Sequence, residues 1–255
     1  MFKILIKKTL PVVLIIAGTN LMSKETGIYL IPVFNYVTGR FNPSEHKLFV
    51  NLKKQGISCT GHDHYLRKET AAALSALLND FHKDHPSIKI TIISSARNFT
   101  LQKKIWNEKW SGKRKVSGVS DIHAVMDPVE RARLILRYSS MPGTSRHHWG
   151  TDFDINTLNN SYFAKGDGKI IYEWLCANAH TYGFGQPYTS GRTSGYLEEK
   201  WHWSYLPLAR QFLEDWNMLY EDDPSVFSEK GIFHGSADAG KLAPEYVNSI
   251  NPGCR

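Results

Sequence analysis

A chain of 255 residues with 42% hydrophobic content can bury a substantial core as one catalytic domain with extensions, and no compositional bias marks it as disordered. Its 31 basic against 24 acidic residues leave a net charge of +7, which favours an anionic partner. The lysines are scattered and no nucleic-acid-binding motif is present, so no nucleic acid is expected as that partner.

Residues 1–22 open with Lys3, Lys7 and Lys8 and continue as Leu10-Pro11-Val12-Val13-Leu14-Ile15-Ile16-Ala17-Gly18. A basic start before a short apolar run is the pattern of an export signal, which predicts an extracytoplasmic protein. Ala17-Gly18-Thr19 is a loose cleavage site, so an uncleaved N-terminal membrane anchor is the alternative. Residues 23–60 read as an arm: positions 27–37 are apolar and β-branched with prolines, predicting an extended segment rather than a helix. A turn follows at 38–43. A helix is predicted over 67–81, where Ala71-Ala72-Ala73-Leu74 and Leu77-Leu78 supply both propensity and an apolar stripe. Residues 88–94 are apolar and β-branched and predict a central strand, from whose end Arg97 projects. A second helix is predicted over 101–110, with Gln102 in its first turn. Residues 111–144 are rich in Lys, Arg, Ser and Gly around one short helix at 128–138, and read as the rim of a cleft.

The run Ser145-Arg146-His147-His148-Trp149-Gly150-Thr151-Asp152-Phe153-Asp154 concentrates two imidazoles, two carboxylates and a glycine in ten residues. Imidazole and carboxylate are the usual ligands of a catalytic zinc, which takes three protein ligands and keeps a position for water. The run supplies two, so a third must come from elsewhere. The candidate is His202 in Glu198-Glu199-Lys200-Trp201-His202-Trp203, with a carboxylate nearby to handle protons. Strand alternation would put His147 and Asp154 on opposite faces, unless Gly150 makes a turn or bulge between them. His148 shares the parity of Asp154 and is the other possible ligand. Between the two segments a third helix is predicted over 169–182, with Ile170, Ile171, Trp174, Leu175 and Ala179 as its buried stripe and Gly183 at its end. A glycine-rich loop at 188–195 reads as cleft wall. Alternation over 196–205 predicts a strand, with Trp201, Trp203 and Tyr205 on one face and His202 on the other. In an ideal strand, parity would favour Glu198 over Glu199 as the partner of His202. A closing helix over 206–220 places Leu208, Phe212, Leu213 and Trp216 inward. Residues 221–255 read as an ordered tail over the domain or as a wall-contact extension. Cys176 reads as a buried small hydrophobe, and export would permit a bridge between Cys59 and Cys254.

Ser145, His147, Gly150 and Asp154 match S-x-H-x-x-G-x-A-x-D, and Glu199 to His202 match E-x-W-H, the two motifs of the VanY-type zinc D-alanyl-D-alanine carboxypeptidases. Arg97 and Gln102 resemble a third block of that family. The resemblance spans roughly 60–206 and keeps the motifs in order. It implies an α+β fold with a central, mainly antiparallel sheet flanked by helices, of the LAS/hedgehog-like zinc peptidase type. It also implies Zn2+ held by His147, Asp154 and His202, with Glu199 as base, Arg97 facing the developing oxyanion or a terminal carboxylate, and Gln102 and Ser145 holding the peptide end. One position departs: Asp152 stands where the motif has a small residue, and there the run resembles the S-H-Q-x-G-x-D-x-D pattern of related peptidoglycan endopeptidases.

The expected function is trimming of peptidoglycan stem peptides by a D-alanyl-D-alanine carboxypeptidase, with an L,D-carboxypeptidase or endopeptidase of the same superfamily as the alternative. A zinc-containing wall-binding module without activity is the rival from a different class. Glu199 argues against it, because a pure binder needs no base beside the metal. A serine or cysteine hydrolase lacks support, since no G-x-S-x-G elbow is present. The expected organisation is a leader at 1–22, an arm at 23–60, a catalytic domain at 61–220 and an extension at 221–255, as a monomer.

Overall fold

In the computed structural model, residues 27–255 are described. The expected leader, its cleavage site and the first residues of the arm lie outside them. Within the arm, the expected extended segment is instead helical at α1 (Val33–Val37). Pro32 sits just before this turn, where a fixed φ is compatible with a helix start. So short a helix draws its stability from packing. Val33, Tyr36 and Val37 are buried, and the Tyr36 hydroxyl donates to the Trp149 carbonyl at 2.8 Å.

A two-stranded antiparallel ribbon, β1 (Phe49–Asn51) with β2 (Tyr65–Arg67), leads into α2 (Lys68–Asp84). Ala71, Leu74, Leu77 and Phe81 line the buried face of α2 at helical spacing. The strand predicted over 88–94 shortens to β3 (Ile92–Ser94), and it lies at an edge rather than in the centre of the sheet. A register shift between Ile92 and Ser94 interrupts the ladder. The outer edge is covered by residues 58–60, with Thr60 N donating to Ile92 O and Ile92 N to Ser58 O. Next, α3 (Phe99–Trp110) begins two residues before the expected start, because the Asn98 side chain caps it by accepting from Leu101 N. The rim segment holds α4 (Pro128–Ile135), capped by Asp127 with Pro128 in its first turn.

A single 3-10 turn (Arg146–Trp149) ends at Gly150 and passes into β4 (Asp152–Ile155). After it, α5 (Gly166–Asn178) continues as a 3-10 turn to Tyr182 and is closed by Gly183. Its buried stripe is narrower than predicted. Ile171, Leu175 and Ala179 are buried, whereas Ile170 is 37% exposed. Cys176 is exposed too, a correction to the expected buried thiol: it lies off that stripe. The strand predicted over 196–205 exists only as β6 (His202–Tyr205), antiparallel to β5 (Phe184–Gly185) and to β4. The four-stranded sheet has the order β3-β4-β6-β5 and is antiparallel throughout. One face carries Phe153 and Trp203 into a core shared with α2 and α5. The other carries Asp152, Asp154, His202 and Ser204.

The closing helix α6 (Leu206–Asp222) buries Phe212, Leu213 and Trp216, with Leu208 only partly covered. The tail is ordered over the domain through α7 (Ser225–Ser228), α8 (Ser236–Ala239) and α9 (Ala243–Asn248). Phe227, Phe233, Tyr246, Val247, Ile250 and Cys254 join the same core as α1 and α6. All three cysteines are free, so Cys59 and Cys254 do not form the bridge that export would permit. Cys59 lies beside β3, whereas Cys254 packs at the Gly185 end of the sheet. Among the described residues, no helix is long and apolar enough to cross a membrane.

Candidate active site

Cross-strand register sets the first two groups of the site. Asp154 pairs directly with His202, and Asp152 with Ser204, so all four side chains share one face of the sheet. His147 reaches the same face by a different route. Gly150 has φ 72°, a left-handed conformation that turns the chain from the 3-10 turn into β4 and removes the parity conflict with Asp154. The turn is pinned at both ends: Arg97 N donates to His147 O at 3.1 Å, and the buried Trp149 indole donates to Val37 O at 3.1 Å.

The three groups converge. One ligand atom from each of His147, Asp154 and His202 lies within 4.8 Å of the others. His147 Nδ1 donates to Ser95 O at 2.9 Å, which leaves Nε2 as the lone-pair atom, 3.4 Å from Asp154 Oδ2. Burial, reinforced by Arg97, lowers the His147 pKa, and the charge of Asp154 opposes that shift. Burial opposes ionisation of Asp154, but His147 and His202 outweigh it and hold the carboxyl far below its usual range. His202 Nδ1 is 2.9 Å from Asp154 Oδ1 and 3.7 Å from Glu199 Oε2. Burial pulls the His202 pKa down, and Asp152 and Asp154 more than reverse this, raising it to about 9. Two imidazoles and an ionised carboxylate in so small a volume form a donor set suited to zinc. His148 is not among them. Its Nδ1 donates to Arg97 O at 2.7 Å and its Nε2 accepts from Gly143 N at 3.1 Å, so backbone partners occupy both nitrogens.

Glu199 sits on irregular chain just before the turn that leads into β6, and it is buried while Glu198 is only partly so. Burial, with the charge of Asp154, pushes its carboxyl up to about 8 against the opposing His202 and Arg97. The same cleft, of about 540 Å³, is lined by Arg97, Gln102 and Ser145. Each of these three has a buried polar atom without a protein partner: Arg97 Nε, Gln102 Oε1 and Ser145 Oγ. Gln102 Nε2 is used by Ser140 O at 2.6 Å, which fixes the amide with its oxygen free. Buried polar atoms left open in a cleft wall are available to a polar ligand.

The sequence from residue 63 to 208, more than half of the chain, matches the family model described as VanY, D-alanyl-D-alanine carboxypeptidase. The chain belongs to the VanY D-alanyl-D-alanine carboxypeptidase family. It is therefore a metallopeptidase of the carboxypeptidase class. Among solved structures it is similar to the LdcB LD-carboxypeptidase, with 22% identity over 70% of this chain and 78% of that one, at a TM-score of 0.49. It is also similar to VanYB in complex with D-alanine-D-alanine, with 22% identity, 68% and 89% coverage and a TM-score of 0.44. DacB from Streptococcus pneumoniae D39 shows 22% identity, 58% and 71% coverage and a TM-score of 0.41. No curated protein sequence matches the chain.

Several groups at this VanY-family site stand outside the expected site residues. Tyr188 packs at a tilt against His202 with ring centroids 4.8 Å apart, and Tyr196 packs edge-on against Tyr188 at 4.9 Å. Tyr188 opens the glycine-rich loop expected as cleft wall and Tyr196 follows it, and both line the cleft. Lys109, on the last turn of α3, also faces it, and burial together with Arg114 and Arg97 lowers its pKa to about 8. Asp152 is buried behind His202. Burial disfavours its charge, yet Arg146 and His202 hold it ionised far below the usual carboxylate range. Parity with Asp154 was the one available hint that Asp152 faces the same way.

Proposed function

We propose that this chain is a zinc-dependent D-alanyl-D-alanine carboxypeptidase that removes the terminal D-alanine from peptidoglycan stem peptides, outside the cytoplasmic membrane. The observation that carries the reading is the convergence of His147, Asp154 and His202 within 4.8 Å with the buried Glu199 carboxylate beside them. These three residues would hold the zinc. When bound, zinc acts as a Lewis acid that acidifies water and polarises a peptide carbonyl.

The remaining roles belong to the chain's own side chains. Glu199 accepts a proton from the attacking water on its carboxylate and returns it to the departing D-alanine amine. Its buried setting supports that task, because a pKa near neutrality suits a group that must both take and give a proton. Arg97 presents its guanidinium to the negative charge that develops on the scissile carbonyl or to the terminal carboxylate, contacts its fixed fork is built to make. Ser145 Oγ and Gln102 Oε1, both open, orient the C-terminal end of the peptide. We assign this chemistry to residues 61–220, with 1–22 as export signal or anchor.

Mass spectrometry of muropeptides digested by the zinc-loaded protein tests the reading. Loss of one D-alanine from pentapeptides is expected. Shortening of tetrapeptides would instead make it an L,D-carboxypeptidase, and opening of cross-linked dimers an endopeptidase. No cleavage of any wall peptide after zinc is restored to the chelated protein would overturn the enzymatic reading.

A further inference from the structure

Asp152 occupies the motif position where the family pattern has a small residue, and its surroundings define what it does. The carboxylate is fully buried, and each oxygen has two partners. Oδ1 accepts from Thr151 Oγ1 at 2.7 Å and from Ser204 Oγ at 2.8 Å. Oδ2 accepts from Arg146 Nε at 2.9 Å and faces His202 Nε2 at 2.9 Å. An ionised carboxylate accepts and cannot donate, so His202 Nε2 must carry the hydrogen in that contact. In the neutral imidazole the lone pair then belongs to Nδ1, the atom that points at Asp154 and Glu199. Arg146 completes the arrangement. It neutralises Asp152, donates through Nη2 to Ser204 Oγ at 2.6 Å and stacks over Trp149 with its guanidinium carbon 4.8 Å from the ring centroid.

We propose that Asp152, held by Arg146, Ser204 and Thr151, is a positioning residue that locks His202 into the Nε2–H tautomer and presents Nδ1 as its metal-binding atom. The proposal rests on the reading of His202 as a zinc ligand. Carboxylates that accept from the second nitrogen of a ligating histidine fix both its tautomer and its ring orientation, and removing them typically weakens metal binding by about 10- to 100-fold. The device is built into the sheet. Asp152 and Ser204 are cross-strand partners one step along from Asp154 and His202, so the supporting pair and the ligand pair keep a common register.

The test uses the full chain. Zinc affinity is measured by competition with a chromophoric chelator, and the imidazole nitrogens of the zinc-loaded protein are assigned by long-range proton–nitrogen correlation spectroscopy. In the wild type, His202 is expected to coordinate through Nδ1 with a protected proton on Nε2. Asp152→Ala should weaken zinc binding by about 10- to 100-fold, and Asp152→Asn, which keeps an acceptor for Nε2–H, should recover part of that loss. Asp152→Ala leaves Arg146 unpaired in the interior and is prone to misfold. The double variant Arg146→Met/Asp152→Leu removes both charges and should show the same loss of affinity with the fold retained. Coordination of wild-type His202 through Nε2, or wild-type zinc affinity in the folded double variant, would overturn the proposal. A wild type that binds no zinc would instead remove the ligand assignment on which it rests.

Discussion

Asp154 and His202 stand directly opposite each other in the β4–β6 register, and their side chains meet at 2.9 Å. A one-residue slip of either strand would send one of the pair into the apolar core beside Phe153 and Trp203. The hydrophobic pattern that fixes the register of the sheet therefore also fixes the distance between two of the three proposed ligands. The third depends on a turn, and the consequences of these dependencies can be measured.

Gly150 is the hinge of that turn. A Cβ built there would lie 2.2 Å from Phe49 Cε1 and 2.6 Å from its Cζ, at a φ of 72° that side-chain-bearing residues rarely adopt. Gly150→Ala should cost about 2–4 kcal/mol of stability, from backbone strain and overpacking together. Denaturant melts would read the loss, and a parallel drop in zinc binding is expected as His147 is displaced from Asp154. A variant as stable as the wild type would show that the turn has an alternative conformation.

Glu199 separates an enzyme from a binding module. Glu199→Ala should retain zinc with little change in affinity while losing about 10²–10⁴ in kcat, the range for removal of a general acid–base group. Muropeptide turnover and bound-metal analysis on the same preparation check both halves. Unchanged turnover would leave the base to be found elsewhere, Glu198 being the nearest candidate in sequence.

Proton linkage gives a pH prediction for the metal-free protein. In the folded chain, His202 is raised from 6.5 to about 9 and Glu199 from 4.5 to about 8. Both groups bind protons more tightly when folded. Their stabilisation is thus fully present below their unfolded values and is lost as pH rises through about 8 and about 9. Between pH 6.5 and 9 the chelated protein should lose on the order of 5 kcal/mol of stability. Zinc must displace the His202 proton, so its affinity should increase over the same window by up to about tenfold per pH unit. Calorimetric titration in buffers of different ionisation enthalpy would detect the released proton. An affinity flat across this window would contradict the linkage.

Arg97 tests the anion role of the cleft. It is buried, with Nε unpartnered, and burial lowers its pKa while Asp154 and Glu199 oppose that shift. Arg97→Lys keeps the charge and loses the planar fork. A fall of about 10²-fold in kcat/KM is expected, as for removal of one preorganised donor at a developing oxyanion. A loss confined to kcat would place Arg97 on the carbonyl, and one confined to KM on the terminal carboxylate. An unaffected kcat/KM would remove it from the machinery.

Local rules carried much of the fold into view. The alanine-leucine run of α2 and the Asn98-capped α3 are short-range features, since propensity, periodicity and a cap are decided within a few residues. What failed was structure imposed from a distance. The turn α1 exists because Tyr36 reaches the Trp149 carbonyl, and β3 lies at the edge because segment 58–60 covers it. Most of the predicted strand at 196–205 is irregular, which leaves Glu199 off the strand lattice and free to approach His202 despite the wrong parity.

At the site itself, the sequence determined the chemistry by composition: two imidazoles and two acids in one short run, and a histidine after a glutamate in another. It also offered Gly150 as the place where a turn or bulge could break the alternation and reconcile an odd spacing with a shared face, and the structure uses a left-handed turn there. The tertiary structure alone decided that His148 turns to backbone partners and that Asp152 backs His202 with Arg146 and Ser204 around it. The contacts of His148 with Arg97 and of Asp152 with His202 and Ser204 join residues about fifty apart in sequence, and no local pattern encodes that proximity.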